Sequence, residues 1–380
     1  MSPALIKRTD ERLEEILGRA LEDRELGPRD IAFLLDTTDE RSLSSLYEAA
    51  RQARRRHFGA DVFLYGFTFF STHCRNDCIF CHYRASHRDL PRYRKKPEEV
   101  LAAAFTLARD GVHLLDLTMG EDPLFYENGG QGFQLLTGMI QEVKRAVGLP
   151  IMVSPGAVPD EVLGDLAAAG ADWYACYQET HNRVLFDHLR PRRNYDERWR
   201  KKITAQAAGL LVEEGILSGV GDSLADVAES IECMKRLDAD QVRVMSFVPQ
   251  EGTPLAGTRK PDVRRELIAI AVLRLVFPDR LIPASLDVDG LAGLKMRLEA
   301  GANVVTSLVP PGRGWSGVAH SHLDIEEARR TPAAVRPILE ACQLQPAQPD
   351  DYVDWMNRRR LGSNRPAGQG EDGRRMRPEP

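Results

Sequence analysis

From Asp10 to about His57 apolar residues recur at three- and four-residue steps: Leu13, Ile16 and Leu17, then Ile31, Leu34 and Leu35, then Leu43, Leu46, Tyr47 and Ala50. That period predicts three amphipathic helices, with Gly27-Pro28 separating the first two and Asp39 or Ser42 capping the third. At Asp61 the texture changes, and short apolar or β-branched runs begin to alternate with longer amphipathic stretches. The runs Val62 to Ser71, Val112 to Thr118, Pro150 to Ser154, Trp173 to Tyr177, Gly215 to Val220, Gln241 to Phe247, Leu281 to Ser285 and Ala302 to Thr306 predict eight strands. Between them, helices are expected over Pro97 to Arg109, Gly132 to Val147, Asp160 to Ala169, Asp196 to Glu214, Leu224 to Leu237, Asp262 to Val276 and Leu291 to Ala300. Eight such alternations predict an α/β chain, a (β/α)8 TIM-type barrel with an N-terminal helical extension. An open doubly wound sheet fits the alternation too, but no Gly-x-Gly-x-x-Gly turn follows the first strand.

A barrel of this kind carries its chemistry at the carboxyl ends of the strands, so polar residues belong where each apolar run stops. They stand there: a cysteine loop, then Asp116 with Glu121 and Asp122, Ser154, Gln178 with Glu179, Asp222, Arg243 with Ser246, Ser285 with Asp287, and Ser307. Residues 61–322 are therefore expected to form the barrel, after residues 1–60. Two further helical pieces, Ile325 to Arg330 and Ala333 to Cys342, follow a loop at Pro310 to Gly314 and place a helical segment over 323–361. Residues 362–380 are rich in Gly, Pro and Arg and predict a disordered tail.

With 380 residues and 43% hydrophobic content the chain can bury a large core. A formal net charge of -5 gives no general attraction to nucleic acid or anionic lipid, and the basic run Arg51 to Arg56 reads as a solvated helix end. The first residues, MSPALIKRTDERLEEIL, lack the apolar centre of a signal peptide, and no run approaches the roughly 20 apolar residues of a membrane span. A cytoplasmic enzyme acting on a small molecule is expected, with neither nucleic acid nor membrane as partner.

The densest chemistry lies in FFSTHCRNDCIFCHY, where Cys74, Cys78 and Cys81 follow C-x3-C-x2-C spacing. Zinc sites and ordinary electron-transfer clusters take four protein ligands, so a tight triplet suggests a metal centre with one coordination position open. Cys176, Cys233 and Cys342 stand singly and read as small buried hydrophobes.

With Phe80 ahead of the third cysteine, the triplet resembles the signature of the radical S-adenosylmethionine (radical SAM) superfamily. The resemblance implies a 4Fe-4S cluster on Cys74, Cys78 and Cys81, S-adenosylmethionine on the fourth iron beside Phe80, and an external one-electron reductant. Thr118-Met119-Gly120-Glu121 stands where the family has a Gly-Gly-Glu turn at the amino end of S-adenosylmethionine, so Met119, Gly120 and Glu121 are expected at the cofactor. Glu179 and Arg198 match the acid and the arginine that the biotin synthase-like branch places around ribose and carboxylate. The segment GILSGVGD resembles the one near adenine and brings Val220 to the cofactor, with Asp222 where the family has glutamate. Ser154, ending the third strand, is assigned to the same cofactor.

Within that branch the chain is similar to the methylornithine synthases of pyrrolysine biosynthesis, in YGFTFFSTHCRNDCIFCHYR, LLDLTMGEDP, DWYACYQETHN, DQVRVMSFVPQEGTP and IPASLDVDGL. This similarity implies isomerisation of L-lysine to 3-methylornithine by hydrogen abstraction, fragmentation and recombination. Lysine has one carboxylate and two ammonium groups, so its pocket needs one cation and at least two acceptors. Arg243 suits the carboxylate, Asp287 with Ser285 the α-ammonium, and Asp116 the distant ammonium, all at positions matching the family's substrate contacts. A sister mutase acting on another amino acid is the alternative. Biotin synthase chemistry would need further cysteines on inner strands, which LLDLTMGED lacks, and a non-catalytic iron-sulfur carrier leaves the polar ring at the strand ends unexplained.

Overall fold

The computed structural model describes residues 3–127, 131–311, 314–319 and 329–362. Helices α1 (Pro3–Leu21), α2 (Pro28–Leu35) and α3 (Glu40–Phe58) open the chain. Asp39 caps α3 by accepting from Ser42 N at 2.9 Å, and Gly59, at φ 59, ends it. Strand β1 (Asp61–Ser71) follows and is buried almost throughout. Its side chains alternate as a strand between two apolar layers requires: Phe63, Tyr65, Phe67 and Phe69 join an inner cluster, while Val62, Leu64 and Phe70 join the outer one with the helices. Gly66 is needed for closeness, since a Cβ there would lie 2.9 Å from the Leu107 side chain of α4 (Pro97–Arg109).

The chain continues through β2 (Leu114–Met119), α5 (Pro123–Tyr126), α6 (Gln131–Val147), β3 (Ile151–Ser154), α7 (Asp160–Ala168), β4 (Trp173–Ala175), α8 (Arg183–Leu189), α9 (Tyr195–Ala207) and β5 (Leu211–Ser218). Then come α10 (Leu224–Leu237), β6 (Gln241–Ser246), α11 (Val263–Val276), β7 (Pro283–Ser285), α12 (Leu286–Glu299) and β8 (Val304–Leu308). The eight strands run parallel in the order β6-β5-β4-β3-β2-β1-β8-β7. Between β6 and β7 a single bridge, Gln241 to Leu281, nearly closes the barrel. Helix α11 is buried from Glu266 to Leu275 because α2 and α3 cover the face it turns from the barrel, so its apolar residues form no single stripe.

Beyond β8 come α13 (Pro332–Ala341), the two-residue strand β9 (Gln345–Pro346), paired with Asp61 and Val62 of β1, and α14 (Pro349–Gly362). The polar partners of α14 sit just ahead of strands. Trp355 Nε1 donates to Asp279 O at 3.1 Å, Arg359 pairs with Asp238 and Asp240 at 2.5 and 2.8 Å, and Arg360 pairs with Asp172 at 3.0 Å. The helix therefore lies across the amino-terminal mouth of the barrel. There Trp355 stacks on Trp173 with centroids 5.9 Å apart, and Tyr352 and Tyr65 share a 2.7 Å hydroxyl contact.

Three expectations need correction. The helix expected over Asp196 to Glu214 ends at Ala207, Gly209 turns at φ 87, and Leu211 to Glu214 open the strand expected only from Gly215. The two adjacent glutamates that close the expected helix are wholly buried, Glu213 against Arg243 and Glu214 against Lys202. The helix expected from Leu291 begins at Leu286 and kinks at Asp289 and Gly290. Helices α5 and α8 were not anticipated; each is short and opens at an Asx cap, Asp122 or Asn182. The helix expected over Ile325 to Arg330, apart from its last two residues, and the tail beyond Gly362 lie outside the described residues.

Candidate active site at the carboxyl ends of the strands

The cysteine loop leaves the carboxyl end of β1 and is tied down from several sides. Arg92 donates to the carbonyls of Thr72, Tyr83, Arg84 and His87, the last three at 2.9, 2.6 and 3.2 Å. Arg75 N donates to Glu121 O at 2.9 Å, and Ile79 N to Leu189 O at 3.0 Å. Gly120 permits a close approach, because a Cβ there would lie 2.3 Å from His73 O. Cys74, Cys78 and Cys81 are free thiols facing one cavity. Arg190 Nη1 donates to Cys78 Sγ at 3.3 Å.

The donor set fits an iron-sulfur cluster. Among the described residues no three His, Cys, Asp or Glu groups converge as the ligands of one ion would; a cluster taking one thiolate per iron needs its sulfurs spread around it instead. Without metal, burial pushes the Cys74 thiol up to about 11 and raises Cys81 further. Coordination reverses that direction, since a coordinating thiol loses its proton.

The cavity encloses about 1250 Å³ of empty space, its open mouth included. The three cysteines, Phe80, Met119, Gly120, Glu121, Ser154, Glu179, Arg198, Asp116, Arg243 and Asp287 all line it, as expected from sequence. Two expected residues do not. Ser285 has its hydroxyl turned to cap α12, accepting from Asp287 N at 3.2 Å. Val220 packs with Leu189, Leu217 and Phe247 in an apolar cluster. The Asp222 carboxylate organises that turn, accepting from Gly219 N and Val220 N at 2.5 and 3.0 Å and pairing with Arg265 at 3.0 Å.

Near the cysteines the charges come in pairs. Glu179 sits in left-handed backbone, φ 68, an uncommon conformation for a residue with a Cβ. It is held by Glu179 N donating to Gly215 O and Leu217 N donating to Glu179 O, at 3.0 and 2.9 Å. Burial raises its carboxyl above the ordinary range, with Arg190, 2.9 Å away, opposing the shift. Arg198, expected to face the cofactor carboxylate, donates from Nε to Tyr177 O at 2.6 Å and lies 3.5 Å from Glu121. Burial resists ionisation of Glu121, but Arg198 and the Ala157 N–H outweigh it and its carboxyl titrates low.

Across the cavity Asp116 Oδ1 accepts from Thr118 Oγ1 and Ser154 Oγ at 2.7 and 3.1 Å, whereas Oδ2 is buried with no partner among the described residues. Burial, reinforced by the Glu213 charge, pushes its carboxyl up to about 7. Arg243 is 2% exposed; its Nε donates to Glu213 Oε1 at 2.6 Å, and its Nη2 is buried and has no partner among the described residues. Asp287, expected to be open for an ammonium, is already engaged: Arg330 Nη1 donates to Oδ1 at 2.7 Å and Ser307 Oγ to Oδ2 at 2.6 Å.

Sequence reasoning missed Glu213, Arg190, Arg330, Tyr177 and Cys176. The first was hidden by its polar neighbour Glu214, and Arg190 and Arg330 lie outside the strand ends. Tyr177 and Cys176 directly precede the polar pair that was recognised, Gln178 and Glu179, and both line the cavity.

The radical SAM superfamily model matches residues 68–234. The chain is 42% identical to a 3-methylornithine synthase of Methanosarcina barkeri over 334 residues, 88% of this chain and 94% of the relative. It is 30% identical over 294 residues, 77% of this chain and 82% of the relative, to the [FeFe] hydrogenase maturase subunit HydE of Thermotoga maritima. Among solved structures, a methylornithine synthase (PylB) superposes with a TM-score of 0.84 at 41% identity, covering 90% of this chain and 99% of that one. The hydrogenase maturase HydG, at 19% identity and a TM-score of 0.77, shares the fold. With the cysteine triplet at the mouth of a parallel barrel and relatives this similar along nearly their whole length, the chain belongs to the radical SAM superfamily and, within it, to the 3-methylornithine synthase family.

Proposed function

We propose that the chain isomerises L-lysine to 3-methylornithine as a step of pyrrolysine biosynthesis, using a 4Fe-4S cluster on Cys74, Cys78 and Cys81 together with S-adenosylmethionine. One observation carries the substrate reading. Arg243 and Asp116 line the same cavity as the cysteines, and each carries a buried atom, Nη2 or Oδ2, that has no partner among the described residues. An amino acid with a second ammonium supplies the anion and the cation these groups lack, and buried polar groups without partners are costly to keep.

When bound, the cluster and S-adenosylmethionine supply the one-electron chemistry that takes a hydrogen atom from the substrate and returns it. The protein's task is to hold and enclose. Arg243 Nη2 donates to the substrate carboxylate. Asp116 Oδ2 accepts from the far ammonium, and Asp287, its charge shared with Arg330 and Ser307, faces the α-ammonium. On the cofactor side Phe80, Met119, Gly120, Glu121, Glu179 and Arg198 hold S-adenosylmethionine, and Ser154 acts through Asp116, to which it donates. Substrate and product have one composition, so no net oxidant or reductant is consumed, and an external one-electron donor primes the cluster. Fragments must stay in place until they rejoin, which the apolar wall of Phe67, Phe69, Leu217 and Met245 favours by excluding water.

In this reading residues 61–322 form the catalytic unit, flanked by 1–60 and by 323–361. The chain works in the reducing cytoplasm, where an iron-sulfur site and six cysteines survive. No helix among the described residues is long and apolar enough to cross a membrane. The test is anaerobic incubation of reduced, reconstituted protein with S-adenosylmethionine and a panel of amino acids, followed by mass and chiral analysis. A branched isomer of unchanged mass from lysine is expected. Clean isomerisation of another amino acid with no lysine turnover would replace this substrate with that of a sister mutase.

A further inference from the structure

The cavity-facing arginine is held from behind by a carboxylate that does not itself line the cavity. Glu213 lies on β5, 0% exposed, with both oxygens used: Oε1 accepts from Arg243 Nε at 2.6 Å and Oε2 from Tyr177 Oη–H at 2.7 Å. The Arg243 guanidinium carbon stands 5.5 Å from the centre of the Tyr177 ring. Gly215, two residues along the same strand, makes this stacking possible, since a Cβ there would meet Tyr177 Cδ1 at 2.9 Å. A guanidinium is planar, so an anchored Nε fixes the direction of the whole fork. Its Nη1 makes two long contacts, 3.4 Å to the Thr306 hydroxyl and 3.6 Å to Met245 Sδ, and Nη2 is left without a partner among the described residues.

We propose that Glu213 is a positioning residue for substrate recognition: fixed by Tyr177, it orients Arg243 and thereby selects substrates that carry a carboxylate next to the reacting carbon chain. The inference rests on the amino-acid reading above. It assigns a role to a strand carboxylate that touches neither substrate nor cofactor. Glu213 has its two oxygens on Arg243 and Tyr177, so neutralising it should loosen the carboxylate end far more than the ammonium end at Asp116. That asymmetry separates positioning from general damage.

The test measures equilibrium binding, by calorimetry, of L-lysine and of 1,5-diaminopentane, which lacks only the carboxylate. The protein is cluster-loaded and oxidised, with S-adenosylmethionine bound, so that no turnover occurs. For Glu213→Gln, lysine affinity is expected to fall about 10- to 100-fold, the range of one charge-assisted hydrogen bond. Diaminopentane affinity should change far less. Gly215→Ala, which displaces the Tyr177 ring without removing a charge, should weaken lysine alone and leave the diamine unmoved. Iron content and S-adenosylmethionine affinity, measured on both variants, report whether the barrel is intact. Equal losses for lysine and diaminopentane in an intact variant would show Glu213 to be merely structural, and unchanged lysine binding in both variants would remove it from recognition. If wild-type protein binds another amino acid in place of lysine, the substrate reading fails by itself. The same comparison then runs with that amino acid and its decarboxylated amine.

Discussion

Replacing Asp116 by Asn should make the protein more stable and its substrate site worse. Asp116 Oδ1 has two hydroxyl donors, but Oδ2 is buried without one among the described residues, and burial pushes the carboxyl up to about 7 from an ordinary 3.8. A folded-state value raised in this way means that the fold favours the protonated carboxyl. The stability it contributes is complete below the unfolded value and is lost progressively as pH rises toward 7. From these two values the loss is on the order of 2 kcal/mol at pH 5.5 and about 4 kcal/mol at pH 8, where it levels off. Asn keeps the shape, stays neutral at every pH and escapes this loss, so its advantage should grow over the same interval. Lysine binding should fall in the variant by about 10- to 100-fold, because the far ammonium then meets a neutral amide. The measurement is anaerobic urea denaturation of cluster-loaded protein without S-adenosylmethionine at several pH values, beside lysine binding at pH 8. A stability difference that stays flat between pH 5.5 and 8, or an Asn variant less stable than wild type, would refute the reasoning about the unpartnered oxygen.

Replacing Cys74, Cys78 or Cys81 by Ala should abolish a single reconstituted 4Fe-4S cluster, measured as iron and sulfide per chain. The same change at Cys176, Cys233 or Cys342 should leave the iron content alone, and a second cluster dependent on any of these would overturn that division. Arg198→Ala should weaken S-adenosylmethionine binding with the cluster retained; unchanged binding would confine Arg198 to its observed partners, Glu121 and the Tyr177 carbonyl. Gly120→Ala should lower cluster occupancy, since the added methyl meets the His73 carbonyl and must push the cysteine loop aside. Normal iron content in that variant would mean that the loop gives way without cost.

The legible parts of this chain are those where one local pattern has one physical cause. The β1 run was read correctly because a barrel strand surrounded by helices is apolar on both faces, and the cysteines because their spacing has few other uses. The reading failed where burial is achieved by charge pairing. Glu213 and Glu214 look solvated in sequence, yet each meets a cation from another element, Arg243 from β6 or Lys202 from α9. No one-dimensional pattern reveals such a partner 30 or 12 positions away. Asp287 was recognised as facing the cavity, but its engagement depends on Arg330, which returns from beyond the last barrel strand. Ser285 was assigned by chemistry to the substrate, whereas local geometry gives its hydroxyl to the first turn of α12, the ordinary competition between capping and function in short polar side chains.

The helix lying across the base of the barrel has a consequence for how the chain is made. Trp173 and Tyr65 look into the barrel from its amino-terminal end, and their covers, Trp355 and Tyr352, are encoded after every barrel strand. Translation proceeds at about 5–20 residues per second. A nascent chain that has completed β8 therefore passes seconds with an aromatic-lined opening exposed to its surroundings. The barrel base is closed only once α14 has itself emerged, and until then this opening is an apolar surface offered to chaperones.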